Sequence, residues 1–178
     1  MAAAKLFGEK NFAKLDPLTV TMASPDATIA LMNGTVACAF TFPPFQEQQL
    51  EQSGIRTILN SYEVLEGSHT AVAAWTSARF RDRNPVLYQA LLGALREATD
   101  IVNQDRRAAA ALWIKDANSK LPLEKVYQVV SNPQFKVTMV PEKTMKFANF
   151  MHSVGTLRAA PGSWRDLFFP EFNDPDGS

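Results

Sequence analysis

The sequence predicts an α/β fold, in which a parallel-rich sheet is flanked by helices and further helices follow at the C-terminal end. Short apolar, β-prone runs alternate with helix-like runs through residues 18–77, and such alternation is typical of a parallel sheet. From residue 84 onward, apolar residues recur at helical spacing instead. With 178 residues and 46% hydrophobic content, the chain can bury a core.

The first half of the chain is predicted to alternate between strands and helices. Gly8 is a weak point in the leading helix, while Ser24-Pro25 and Pro43-Pro44 suit the starts of the two helices that follow. The fourth strand, TAVAAWTS, is apolar along its length, which favours cover on both faces. The predicted elements are a helix at 2–15, a strand at 18–23, a helix at 25–32, a strand at 36–42, a helix at 44–53 and strands at 55–60 and 70–77.

The second half is predicted to be mostly helical. Asn84-Pro85 begins a long helix, and RFRDRN before it is interpreted as a solvated turn. Further helices are expected from Asp105, from Pro122 and, after an extended run at 135–140, from Pro141. The apolar stripe of the long helix is predicted at Leu87, Leu91, Leu95, Ala98 and Val102.

Small polar and proline residues stand where two predicted strands end and two helices begin. In parallel α/β sheets, ligands bind beyond the carboxyl ends of the strands, where helix N-termini offer free amide hydrogens. Ser24 lies at the first such place; Thr41 lies at the second, with Phe42 and Phe45 as apolar walls beside Pro43. The set suits a small ligand with a polar head and an apolar body. The alternative is that Ser24 only caps a helix and the phenylalanines fill the core.

Composition and motifs exclude several classes of protein. Lysine plus arginine and aspartate plus glutamate both total 18, so no net field attracts nucleic acid. We expect neither a membrane-spanning helix nor an export signal, because the apolar runs are short and the first residues include lysines, an acid and a glycine. Its one cysteine, Cys38, is expected inside a strand. Catalytic, phosphate-binding and metal-binding motifs are not found, so we expect no catalytic residue, no metal and no cofactor.

Three stretches in succession resemble the substrate-binding proteins of nitrate/sulfonate/taurine-type ABC transporters, which share a fold with thiamine-pyrimidine synthases. They are ATIALMNGTVACAFTFPPFQEQ, WTSARFRDRNP and KFANFMHSVGTLRAAPGSWRDLFFPEFND, and the resemblance extends over about residues 18–173. It implies a type II periplasmic binding protein-like fold. Members carry a signal peptide and a first lobe ahead of the point where Met1 stands, so the first lobe is expected to be absent.

The resemblance also implies a division of the chain and a function. Residues 1–70 would form a partial α/β ligand-binding lobe, lobe two, and residues 71–178 a crossover strand and a helical region that would pack on lobe one. The function implied is capture of a small solute (a sulfonate, nitrate, taurine or a pyrimidine-like compound) and its delivery to a membrane permease. The location implied is periplasmic. Apolar surface left by the absent lobe would favour self-association.

By the family's layout, the ligand-binding residues lie on the cleft side of lobe two. His69, in the loop leading back to lobe one, is also a candidate, although a surface or hinge position explains it as well. The candidate ligand-binding residues are Ser24, Thr41, Phe42, Pro43, Phe45 and His69.

Two alternatives to a solute-binding protein remain open at the level of sequence. A truncated lobe that binds no ligand would act as an interaction module. A thiamine-pyrimidine synthase-like enzyme is the other alternative, but the lysine-bearing and histidine-rich segments that such enzymes use have no counterpart in this sequence. We therefore expect a binding protein and not an enzyme.

Overall fold

Regular secondary structure is helical in the part of the chain that the computed structural model describes, residues 1–172 and 176–178. The end of the stretch quoted for the resemblance, residues 173–174, lies outside the described residues. Short 3-10 helices lie at Glu9–Asn11, Asp16–Leu18, Trp164–Leu167 and Pro170–Phe172. The α-helices are α1 Ala2–Phe7, α2 Ser24–Met32, α3 Phe45–Leu50, α4 Ser61–Leu65, α5 Ala78–Arg83, α6 Pro85–Gln104, α7 Arg106–Asp116, α8 Leu123–Ser131 and α9 Thr144–Ser153.

The prediction of a parallel-rich sheet is wrong for these residues, because none of them forms a strand. The four runs predicted as strands hold no ladder of backbone hydrogen bonds. The run predicted to be covered on both faces is instead open to solvent, with Val72 88% and Trp75 93% exposed. Cys38, expected inside a strand, is likewise exposed.

The failure has a physical cause. An apolar, β-branched run fits a pleated surface, but a strand forms only where a neighbouring backbone supplies the partner groups. Thr70 makes one such exchange: its N–H donates to the Glu142 carbonyl at 2.9 Å, and its Oγ1 accepts from the Glu142 N–H at 2.8 Å. One contact of this kind does not build a sheet.

Helices with clear start signals are confirmed. α2 and α8 begin within one residue of the predicted positions, and α6 begins at Pro85. Asp105 caps α7 by accepting a hydrogen bond from the Ala108 N–H at 2.8 Å. In the described parts of the chain, no helix, α6 included, has the apolar length that a bilayer crossing needs.

Several local details differ from the predictions. The leading helix ends at Phe7 because Gly8 adopts φ 87°, ψ 154° and breaks it. Two short helices, α4 and α5, are not among the predicted helices, and α5 replaces the turn predicted for RFRDRN. α4 begins where the Asn60 side chain accepts from the Tyr62 N–H at 2.8 Å, and α5 begins where Ser77 accepts from the Phe80 N–H at 3.1 Å. Both helices therefore begin at a side-chain cap, a local signal that the prediction did not use.

The buried face of α6 lies one residue from the predicted stripe. Tyr88 and Leu92 are buried to 3% and 2% exposure, whereas Leu87 and Leu91 are 57% and 42% exposed. Residues four apart share a helix face in either register. Spacing therefore identified the helix but not its inner side.

The chain divides into two compact units. The first comprises Met1–Gly67 and Met145–Gly162. Within it, Phe12 packs edge-on against Phe150 of α9 with ring centroids 6.2 Å apart, and the Lys146 ammonium donates to the Leu65 carbonyl at 3.1 Å. α2 and α3 pack against each other in this unit.

The second unit comprises Ser68–Thr144 and Ser163–Ser178. α6, α7 and α8 pack in sequence around apolar side chains that include Leu92, Ala110 and Val126. The Arg106 guanidinium donates to the Val130 and Phe135 carbonyls and so joins the start of α7 to the end of α8. The assignment of residues 1–70 to a partial ligand-binding lobe, and of residues 71–178 to a crossover strand and a helical region that packs on lobe one, stays a prediction.

Candidate functional site

Five of the six predicted ligand-binding residues lie in or next to the α2–α3 pair of the first unit. α2 begins at Ser24 and α3 at Phe45, and residues 33–44 connect them. Because α2 and α3 pack together, Ser24 and the segment 41–45 belong to one local structure. The sixth residue, His69, lies in the second unit.

The side chain of Ser24 does not cap α2, although its position before Pro25 suggested that it would. It is the first residue of α2, the N-cap is Ala23, and no side-chain cap hydrogen bond is formed there. The carbonyl of Ser24 instead accepts a hydrogen bond from Thr28 Oγ1 at 2.9 Å. The Ser24 hydroxyl is therefore not used as a helix cap.

A buried polar contact joins the two helices, and the sequence reasoning missed it. Gln49 Nε2 donates to Thr28 Oγ1 at 2.9 Å, and the two residues are 3% and 5% exposed. With the bond to the Ser24 carbonyl, Thr28 both donates and accepts. The available sequence signal was that Thr28 lies four residues after Ser24 on a predicted helix and so on the same helix face.

Two aromatic rings flank the start of α3. Phe42 and Phe45 meet edge-on with centroids 5.8 Å apart and planes at 88°. Phe42 is 58% exposed and Phe45 is partly exposed, so neither is sealed in the core. Between them, Pro43 is half-buried and Pro44 is buried, and a cis peptide bond joins the two. The rings provide an aromatic surface that solvent reaches.

Two side-chain oxygens of this segment are buried without a hydrogen-bond partner. They are Thr41 Oγ1 and Glu47 Oε2. The other oxygen of Glu47 accepts from Gln46 Nε2 at 3.0 Å, which fixes the orientation of the carboxylate. A buried polar atom without a partner costs about 1–3 kcal/mol, and more when it is charged. Two such atoms close together in sequence indicate a place that a polar partner would stabilise.

His69 lies in a loop that is tied to the segment before α9. Its neighbour Thr70 exchanges hydrogen bonds with Glu142, as described above. The pKa of Glu142 is lowered from its ordinary value, first by a hydrogen bond from the Lys136 ammonium and then by one from the Ser68 hydroxyl. These contacts hold the loop in place. The loop belongs to the second unit, whereas the aromatic and buried polar groups of the α2–α3 segment belong to the first.

Other parts of the described structure are weaker candidates for a functional site. Within residues 1–172 and 176–178, no group of three or more His, Cys, Asp or Glu side chains is placed to hold a metal ion. An open depression of about 440 Å³ lies where α6 begins, and none of the predicted ligand-binding residues contributes to it. It is lined by Arg83, Asn84, Pro85, Val86, Leu87 and Ala90.

Comparison with known proteins places the chain in a family. The profile of the NMT1-like family matches residues 9–115, which is more than half of the 178 residues and includes all of α2 and α3. No curated protein and no solved structure matches the chain. The family suggests a periplasmic binding protein-like fold and is typically periplasmic or extracytoplasmic. The chain belongs to the NMT1-like family, the nitrate/sulfonate/taurine type of substrate-binding protein associated with ABC transporters.

Proposed function

We propose that this protein is the solute-binding component of an ABC importer. It captures a small organic or anionic solute, such as a sulfonate, nitrate, taurine or a pyrimidine-like compound, and delivers it to a membrane permease. The observation that carries the proposal is the family match over residues 9–115, because the matched region contains the α2–α3 segment with its exposed rings and unpartnered oxygens. The ligand-binding residues proposed are Ser24, Thr41, Phe42, Pro43, Phe45 and His69.

The proposed activity is capture without covalent chemistry, and it needs neither a metal nor a cofactor. The groups gathered at the start of α3 are aromatic rings, a hydroxyl and a carboxylate oxygen. Such groups suit a small molecule with an apolar body and a polar end. A binding protein needs only that the ligand be held and released, so no nucleophile has to be activated.

The proposed partners and location follow from the family. A periplasmic protein that captures a solute needs a permease to receive it. The equal numbers of acidic and basic side chains, 18 of each, support a small-molecule partner in preference to nucleic acid.

Thermal stabilisation by candidate solutes tests the capture function. A ligand that binds only the folded form raises the free energy of unfolding by RT ln(1 + [L]/Kd). A panel of taurine, alkyl sulfonates, nitrate and aminopyrimidines, each at millimolar concentration, should include at least one compound that raises the Tm. A panel without any effect on the Tm would contradict the proposal.

Replacement of the rings shows whether the α2–α3 segment is the site. Phe42→Ala and Phe45→Ala should weaken binding about tenfold or more, because each removes aromatic contact area from a bound ligand. Phe40→Ala is the matched control, since Phe40 is 90% exposed and makes no ring contact with this pair. Equal loss of binding in all three variants, or loss of fold in the first two, would remove the segment from consideration.

A second candidate function is an interaction module, and exposed apolar residues favour it. Phe40, Val72 and Trp75 are each at least 88% exposed, which is unusual for large apolar side chains of a monomer when they lie in continuous apolar runs. A second copy of the chain is the proposed occupant. Light scattering should then give a mass above 19.7 kDa that falls towards this value in a Val72→Ser/Trp75→Ser variant. A monomeric wild-type protein would exclude this candidate and leave solute capture untouched.

A further inference from the structure

We infer that the α2–α3 segment recognises its ligand through a nitrogen-bearing head group that donates hydrogen bonds, and that Glu47 provides the acceptor. The inference rests on the proposed solute-binding function and narrows its chemistry. It starts from the buried Glu47 Oε2 and Thr41 Oγ1, which have no hydrogen-bond partner. An ionised carboxylate only accepts hydrogen bonds, whereas a hydroxyl donates or accepts.

The carboxylate is oriented by a neighbour on one side and has a buried, unpartnered oxygen on the other. Oε1 accepts from the Gln46 amide at 3.0 Å, while Oε2 has no partner and no contact with solvent. An anionic head group brought to this oxygen would add a second negative charge next to the first. An N–H donor would satisfy it, and a charge-assisted hydrogen bond is about twice as strong as a neutral one.

The charges of the surrounding sequence point the same way. Residues 15–55, which include all of α2 and α3, contain four acidic side chains and no lysine, arginine or histidine. The acidic residues are Asp16, Asp26, Glu47 and Glu51. In a chain with zero net charge, this region therefore carries an excess of negative charge. The region contains no arginine, the residue type whose guanidinium binds a sulfonate or carboxylate through two hydrogen bonds.

Three basic side chains elsewhere in the first unit, Lys5, Lys14 and Lys146, are engaged with other groups. The ammonium of Lys5 lies 3.7 Å from the Glu66 carboxylate, and the ammonium of Lys146 also pairs with Glu66. The ammonium of Lys14 lies over the ring of Phe7, 4.5 Å from its centroid. These contacts direct three positive charges of the unit to groups outside α2 and α3.

The aromatic pair suits a cationic or N–H-bearing ligand as well. The face of an aromatic ring carries partial negative charge, and a cation within about 6 Å of the centroid is attracted to it. Phe42 and Phe45 stand edge-on to each other, and Phe42 is more than half exposed. The rings and the carboxylate thus favour the same head group.

Four probes with one aromatic body and different head groups test the inference by calorimetry: benzylammonium, benzamide, benzoate and benzenesulfonate. We expect benzylammonium to bind most tightly, benzamide next, and the two anions about tenfold or more weaker than benzylammonium. Glu47→Gln keeps the size of the side chain and removes its charge. It should reduce the affinity for benzylammonium about tenfold while it changes the affinity for benzamide less.

Glu97→Gln is the matched control, because it removes one carboxylate from an exposed position of α6 in the second unit. It should leave all four affinities unchanged. If Glu47→Gln does not fold by circular dichroism, Thr41→Val provides the second variant. It should weaken benzamide binding, since it removes the buried hydroxyl and keeps the branched shape.

The outcomes separate this inference from the function on which it rests. Tighter binding of benzoate or benzenesulfonate than of benzylammonium would overturn the inference and leave solute capture standing. Wild-type affinity for the probes in both Glu47→Gln and Thr41→Val would likewise overturn the inference and leave solute capture standing. Failure of all four probes, together with a solute panel that leaves the Tm unchanged, would overturn both.

Discussion

The α2–α3 pair and the α6–α8 helices are held together by different kinds of buried side chain. α6, α7 and α8 bury Leu92, Ala110 and Val126, each at 2% exposure or less. α2 and α3 bury an amide and a hydroxyl that hydrogen-bond to each other, Gln49 and Thr28. Apolar burial stabilises almost any arrangement that excludes water, whereas a buried hydrogen bond requires one arrangement.

The difference teaches where to look for function in this protein. A region that buries polar groups, and leaves two more oxygens buried without partners, gives up stability that apolar residues would have supplied. Such exceptions to ordinary packing occur most often where a protein binds something. The α6–α8 helices show no comparable exception among the buried side chains that the structure describes.

The largest expected effect comes from the apolar region. Leu92→Ala should lower the free energy of unfolding by about 2–5 kcal/mol, because it leaves a cavity in the α6 packing. Leu91→Ala, at a position that is 42% exposed, should cost much less. Chemical denaturation of both variants measures the contrast. Equal losses would mean that the buried face of α6 is not the one described.

A medium effect is expected in the polar region. Thr28→Val leaves Gln49 Nε2 buried without its acceptor and should cost about 1–3 kcal/mol of unfolding free energy. Thr28→Val/Gln49→Leu removes both partners and should be more stable than the sum of the single losses predicts. A double-mutant cycle by denaturant unfolding gives the coupling. Strictly additive losses would show that the hydrogen bond does not join the helices.

The smallest effect depends on pH and concerns Glu142. Glu142 accepts a hydrogen bond from Lys136, and its pKa lies below the ordinary 4.5. A lowered folded-state pKa stabilises the fold above pH 4.5, and this contribution is lost as the pH falls through the lowered value. Unfolding curves from pH 6 to pH 3 should show the wild type losing more stability than Glu142→Gln.

Lys136→Met provides the control for that prediction. It removes the donor that is the main cause of the lowered pKa of Glu142. The variant should therefore lose less stability on acidification than the wild type, as Glu142→Gln does. A wild-type acid sensitivity that survives in both variants would assign it to other groups.

The sequence predicted local helix signals well and tertiary partners poorly. Pro85 marked the start of α6, and Pro25 marked that of α2 to within one residue, because proline and capping residues act within a few positions of the chain. Val72 and Trp75 suggested a covered strand, but composition carries no information about whether a second strand lies alongside. The start of a helix can be predicted from neighbouring residues, whereas the pairing of a strand depends on a segment elsewhere in the chain.

The candidate site shows the same limit. The positions of Thr41 and Phe42 before α3, and of Phe45 at its start, could be predicted because they follow from the turn and the prolines. The contact between Thr28 and Gln49, 21 residues apart, could not, since it depends on how α2 packs on α3. Nor could the buried state of one Glu47 oxygen be predicted, because glutamate is usually exposed.

The division into two units has a consequence for spectroscopy. All three tryptophans, Trp75, Trp113 and Trp164, belong to the second unit, and the first unit contains none. Indole emission therefore originates from residues of the second unit, in which Trp75 is exposed and Trp164 is buried, at 93% and 7% exposure. A Phe42→Trp variant would put a fluorophore beside the proposed ligand and turn binding into an optical signal.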